Sequence, residues 1–120
     1  MLLSLQGKVL KGRGLGKQFG FPTLNLAYDG SMTGVFAGRI KIAGEFYPAA
    51  INLGKRQTID DEKLCEIHVL GWDGDADFCE VELFVKIREI KKFPNITALR
   101  EQIARDVEFV RNWYNATKYA

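Results

Sequence analysis

The hydrophobic period of this chain changes once, at Pro94, and no other feature of the sequence constrains the fold as strongly. Over residues 78–90, Val81, Leu83, Val85 and Ile87 alternate with Glu82, Lys86 and Arg88, the period of two expected of a half-buried antiparallel strand. Beyond Pro94, Ile96, Leu99, Ile103, Val107, Val110 and Tyr114 recur three or four residues apart. That spacing predicts one amphipathic helix over about 96–115, capped by Asn95 or Thr97. Five earlier runs, at residues 5–10, 24–26, 34–42, 45–53 and 64–70, also read as strands. They are separated by turn signals such as Asp29-Gly30-Ser31, Ala43-Gly44 and Gly71-Trp72-Asp73-Gly74.

Strands first and a helix last leave no helices to cross between parallel strands, so a doubly wound sheet is excluded. The expectation is an all-β fold with a C-terminal helix: a closed or nearly closed antiparallel barrel with the helix lying against it. A chain of 120 residues is long enough to bury a core and is read as one domain, residues 1–120. Its 17 basic and 15 acidic side chains leave a net charge of +2, too balanced to imply nucleic acid or an anionic membrane. The N-terminus has no basic segment followed by a sustained apolar run, and no stretch reaches the length of a membrane-spanning helix. Cys65 and Cys79 fall in expected strands, which suits buried thiols in a reducing cytoplasm. With no CxxC and a single histidine, a zinc-type site is not expected.

Residues 7–26, GKVLKGRGLGKQFGFPTLNL, carry the strongest chemical signal. Gly12, Gly14 and Gly16 permit tight curvature and close approach of a ligand, and successive N–H groups in such a turn can form an anion-binding nest. Lys11, Arg13 and Lys17 add positive charge. The stretch is not a Walker A loop, because Lys11 and Gln18 stand where glycine and Ser or Thr are required, and it also fails GxGxxG. Spacing alone leaves two readings open, a phosphate loop or a hairpin joining barrel strands. Thr23 and Asn25, two apart in extended chain, project to one side. Their neutral oxygens suit a cation whose charge is balanced mainly by phosphate, as in a nucleotide–Mg²⁺ complex. A local turn satisfied by backbone groups is the other reading.

The ordered set of motifs resembles the riboflavin kinase (flavokinase) domain family. The resemblance runs over roughly residues 7–106. It rests on the glycines at 12, 14 and 16, on Phe19-Gly20-Phe21-Pro22-Thr23-Leu24-Asn25, a close form of a GFPTAN signature, and on Gly34-Val35-Phe36. It continues through Asn52-Leu53-Gly54, Glu66-Ile67-His68-Val69-Leu70, Arg88, Phe93, Leu99 and Gln102-Ile103. What it implies is a six-stranded antiparallel Greek-key barrel that phosphorylates the 5′-hydroxyl of riboflavin with ATP and Mg²⁺, giving FMN and ADP. By the resemblance, Gly12, Arg13, Gly14, Leu15, Gly16 and Lys17 would cover the nucleotide phosphates, Thr23 and Asn25 would help hold the metal, and Glu66 would be the catalytic base. Asn52 and Thr58 match an NxGxxPT segment, and Arg88 and Phe93 lie where the family has a flavin-side loop. A cytoplasmic monomer, without membrane or nucleic-acid partners, is the accompanying expectation.

The chain departs from the family pattern at four places. Gln57 replaces the proline before Thr58, Gly71-Trp72 replaces a DF pair, Asp77-Phe78-Cys79 replaces LYG, and Lys17 stands where arginine is common, keeping charge but losing the bidentate fork. Glu66 and His68 share a strand face opposite Cys65, Ile67 and Val69; on strand spacing alone both read as structural or solvated groups. The competing functions are a non-catalytic flavin-binding or regulatory module, a structural interaction domain, and a small RNA-binding barrel using Lys8, Lys11, Arg13, Lys17, Arg39 and Lys55.

Overall fold

A computed structural model describes residues 1–10, 22–55 and 63–117. Six strands precede one helix: β1 (Leu3–Lys8), β2 (Thr23–Ala27), β3 (Gly34–Ile42), β4 (Glu45–Lys55), β5 (Lys63–Val69), β6 (Phe78–Arg88) and α1 (Ile96–Ala116). They form one sheet of order β1-β6-β3-β4-β5-β2, antiparallel at every pairing. In β3 to β6, three consecutive strands pair in sequence and the fourth returns beside the first, the Greek-key order. The sheet curls into a half-barrel, and its outer strands approach each other where the Leu10 N–H donates to the Asn25 carbonyl at 2.8 Å.

The tightest turn follows from its two residues. Between β3 and β4, Ala43 and Gly44 both adopt positive φ, 50° and 84°, as a two-residue hairpin matched to strand twist requires. Inside the curl, Leu24, Leu26, Phe36, Ile40, Ile51, Leu53, Cys65, Ile67, Val69, Val81 and Leu83 pack into one cluster. Cys65 and Cys79 belong to it as free thiols, and burial pushes the Cys79 thiol up to about 11.

The helix covers part of the outer face. Asn95 caps it, its side chain accepting from the Ala98 N–H at 2.8 Å in the extended conformation typical of a cap. Leu99, Ile103, Val107 and Val110 pack on Ala37 and Ala50 of the sheet; burying each such side chain contributes roughly 1.5–3 kcal/mol. The two alanines let the helix approach closely. Ile96, expected on the buried face, is 47% exposed, because the packed stripe starts one turn later at Leu99. No helix among the described residues is long and apolar enough to cross a membrane.

One expectation about faces is corrected. Val81 and Leu83 enter the barrel core, but Val85 and Ile87 pack beneath the helix. The register explains the switch. Gly38 pairs with Leu83 and Ala37 with Val85, so β6 carries an extra residue, Phe84, at this step. A second slip, at Ile87, separates the Phe36–Lys86 and Val35–Arg88 pairs. Each extra residue exchanges the faces of the chain that follows. At the first slip β6 presses against β3 so closely that a Cβ on Gly38 would collide with the Glu82 carbonyl oxygen.

Candidate active site

Strand register carries the outer face across the sheet. Asn25 pairs with Glu66, Glu66 with Asn52, Asn52 with Val35, and Val35 with Arg88. In the neighbouring row, Thr23 pairs with His68, His68 with Ala50, Ala50 with Ala37, and Ala37 with Val85. Directly opposed residues point to the same side of a sheet. Leu24, Leu26, Ile51, Leu53, Cys65 and Ile67 fill the interior, so Thr23, Asn25, Asn52, Glu66 and His68 lie together on the outer face. The alanine half of these rows seats the helix; the β2–β5 half is polar.

These polar groups are not solvated. Asn25, Asn52 and His68 retain 3%, 2% and 5% exposure, and the Glu66 side chain keeps 15%. The Thr23 hydroxyl oxygen lies 3.2 Å from His68 Nδ1, and His68 Nε2 lies 3.6 Å from Glu66 Oε1. Burial lowers the His68 pKa below its ordinary value, against the opposing pull of the Glu66 and Asp106 carboxylates. Asn25 Oδ1 is buried and accepts no hydrogen bond from the described residues. A buried acceptor left without a donor costs about 1–3 kcal/mol, so this oxygen fits a cation or another ligand better than it fits packing.

The remaining expected residues separate. Gly12 to Lys17 and Thr58 lie outside the described residues, as does Gln57. Arg88 forms a two-pronged ion pair with Asp106 on the helix, Nε to Oδ1 at 3.0 Å and Nη2 to Oδ2 at 2.8 Å. Gln102 also donates to Asp106 Oδ1 at 3.0 Å. Asp106 is only 3% exposed, and this pairing ties β6 to α1. Phe93 packs against the helix-side cluster, its ring centroid 5.7 Å from the Arg88 guanidinium carbon. Sequence reasoning passed over His68 and Asp106. The shared face of Glu66 and His68 was visible, but the threonine against His68 lies 45 residues away.

Among the described residues no three His, Cys, Asp or Glu side chains gather as a metal cage. The outer-face patch thus sets the neutral side chains of Thr23, Asn25 and Asn52 in register with one carboxylate, Glu66. The family model described as Flavokinase, riboflavin kinase, matches residues 2–114, and the chain belongs to that family. It is 34% identical over 117 residues to the bifunctional riboflavin kinase/FMN adenylyltransferase of Haemophilus influenzae, covering 92% of this chain and 38% of that protein. Among solved structures, a riboflavin kinase from Trypanosoma brucei aligns with a TM-score of 0.61 at 25% identity, over 97% of this chain and 82% of the other. A Streptococcus pneumoniae protein described as a macrolide-efflux protein aligns with a TM-score of 0.78 at 29% identity, over 92% of this chain and 39% of the other. The chain thus spans well under half of that bifunctional relative's length.

Proposed function

We propose that this chain is an ATP-dependent riboflavin 5′-kinase, producing FMN and ADP. Family membership supports the reaction class, and the observation that carries the site is the row Asn25–Glu66–Asn52 in direct register on three strands. The riboflavin hydroxyl oxygen attacks the γ-phosphorus of ATP, and the bond from that phosphorus to the bridging oxygen breaks, leaving ADP. Glu66 orients the hydroxyl and accepts its proton as the new bond develops. Transfer in this class depends mainly on positioning and charge stabilisation, and both demands suit a carboxylate in register between two buried amides.

The oxygens of Thr23 and Asn25 would hold Mg²⁺ together with nucleotide oxygens. The fit rests on the buried Asn25 Oδ1, which accepts no hydrogen bond from the described residues. When bound, the ion would neutralise charge on the transferring phosphoryl group. The proposal assigns the phosphates to Gly12, Arg13, Gly14, Leu15, Gly16 and Lys17, and nucleotide- or substrate-side roles to Asn52 and Thr58. Arg88 and Phe93 would act on the flavin side through the β6–α1 junction, where Arg88 is fixed by Asp106. Residues 1–120 would work as one domain, a cytoplasmic monomer.

The test is direct. Purified protein supplied with riboflavin, ATP and Mg²⁺ is expected to yield FMN and ADP in equal amounts, with no product when any component is omitted. Folded protein that forms no FMN across nucleotide donors and divalent metals would sink the proposal. Flavin binding without turnover would point instead to the non-catalytic module.

A further inference from the structure

We propose that Asp106 is a positioning residue for riboflavin binding: through Arg88 it holds residues 89–93 as a fixed wall beside the row that carries Glu66. The inference deepens the kinase reading and rests on it for the identity of the ligand.

The sheet and the helix place this wall. The chain leaves β6 at Arg88, the last member of the row that runs from Asn25 through Glu66, Asn52 and Val35. Ile90 then lies over β4, where a Cβ on Gly54 would come within 3.3 Å of its Cδ1. Gly54 stands two residues beyond Asn52 on that strand, so both face the same side of it. A glycine there lets the connection settle close against the sheet. Phe93, at the other end, packs with the helix-side cluster. The segment from β6 to α1 therefore borders the polar row between β4 and the helix.

Asp106 sets where the segment stands. Its carboxylate accepts from Arg88 Nε at 3.0 Å and from Nη2 at 2.8 Å. The same guanidinium donates from Nη1 to the Glu89 carbonyl at 3.1 Å. Its N–H groups form one rigid planar fork, so fixing one edge on the helix fixes how the other edge meets Glu89. Gln102 Nε2 donates to Asp106 Oδ1 at 3.0 Å and restrains the carboxylate in turn. The Phe93 ring centroid lies 5.7 Å from the clamped guanidinium carbon and 5.4 Å from Lys91 Nζ. Both ends of the wall thus lean on one cation whose direction the helix carboxylate controls.

Stability alone is a poor reason for this pair. The Arg88 and Asp106 side chains keep only 13% and 5% exposure, and apolar side chains of similar volume often replace such a buried pair at no loss. What two apolar side chains cannot supply is direction. A misplacement of about 1 Å beside a reacting ligand can cost on the order of 10²-fold.

The test separates direction from packing. Asp106→Asn keeps the shape and one acceptor oxygen, and leaves Arg88 its charge. Equilibrium riboflavin binding should weaken roughly 10-fold or more while the KM for ATP stays within about twofold of wild type. Wild-type riboflavin affinity, or equal losses for riboflavin and ATP, overturns the proposal. Arg88→Met/Asp106→Leu restores packing without the fork, so riboflavin binding should stay weak; wild-type binding in this pair shows a merely structural clamp and overturns it. A third readout needs no ligand. Lys91 and Lys92 are exposed, and trypsin should cleave after them faster in both variants, well below their melting temperatures. Cleavage at the wild-type rate overturns the proposal. If the wild type makes no FMN while the variants are cleaved faster, the kinase reading fails and the anchoring of the segment by Asp106 survives.

Discussion

The two faces of β2, β4 and β5 are built from alternate residues of the same strands, yet they handle burial in opposite ways. On the inner face Leu24, Leu26, Ile51, Leu53, Cys65, Ile67 and Val69 fill space against one another. On the outer face Asn25, Asn52 and His68 are almost as inaccessible, but they are polar, and one of their acceptors has no donor among the described residues. Burial inside stabilises the fold; burial outside carries a desolvation cost that packing does not offset. A sheet that keeps such a cost on one patch, beside a partly buried carboxylate, has the mark of a site held ready for a ligand.

The sharpest way to break the comparison is at the buried ion pair between Arg88 on β6 and Asp106 on the helix. Asp106→Ala would leave Arg88 partly buried without the carboxylate that now holds its guanidinium, and should cost about 3–5 kcal/mol in urea denaturation. A change below 1 kcal/mol would show that the clamp between β6 and α1 is dispensable. Inside the barrel, Ile67→Ala removes a fully buried side chain and should cost roughly 2–5 kcal/mol, with catalysis per folded molecule nearly intact. Its outer-face counterpart runs the other way. Asn25→Val removes the orphaned acceptor and should raise stability by about 1 kcal/mol while abolishing metal-dependent turnover. Loss of stability of the inner-face size in Asn25→Val would mean that Asn25 is ordinary structure.

A smaller effect tests the boundary between the faces. Gly38→Ala places a methyl against the Glu82 carbonyl where β6 slips on β3. It should destabilise by about 1–3 kcal/mol through overpacking, measured by thermal melting. A neutral result would mean that the slip relaxes easily and does not fix the face exchange.

Most of the strands were legible because each announces itself locally. The Ala43-Gly44 hairpin, the alternation in β6 and the period change at Pro94 need no distant partner to be seen. The family signature singled out Thr23, Asn25 and Glu66, which strand register places on one outer face. What could not be read was register. Val81, Leu83, Val85 and Ile87 alternate without interruption in the sequence, yet the slip at Phe84 divides them between barrel and helix. The pattern hides this because the helix makes the outer face of that region apolar too. For the same reason the surroundings of His68 were hidden. Its contact with Thr23 crosses the β2–β5 pairing, and Arg88 likewise gained its partner only when the helix placed Asp106 against it.

The account stands most directly on Glu66. The decisive measurement is transfer of radiolabelled γ-phosphate from ATP to riboflavin by wild type and by Glu66→Gln, alongside riboflavin binding and a melting curve for each. The account predicts labelled FMN from the wild type and a kcat lower by about 10²–10⁴-fold in Glu66→Gln, with binding and melting temperature close to wild type. Glu66→Gln turning over as fast as wild type would contradict it.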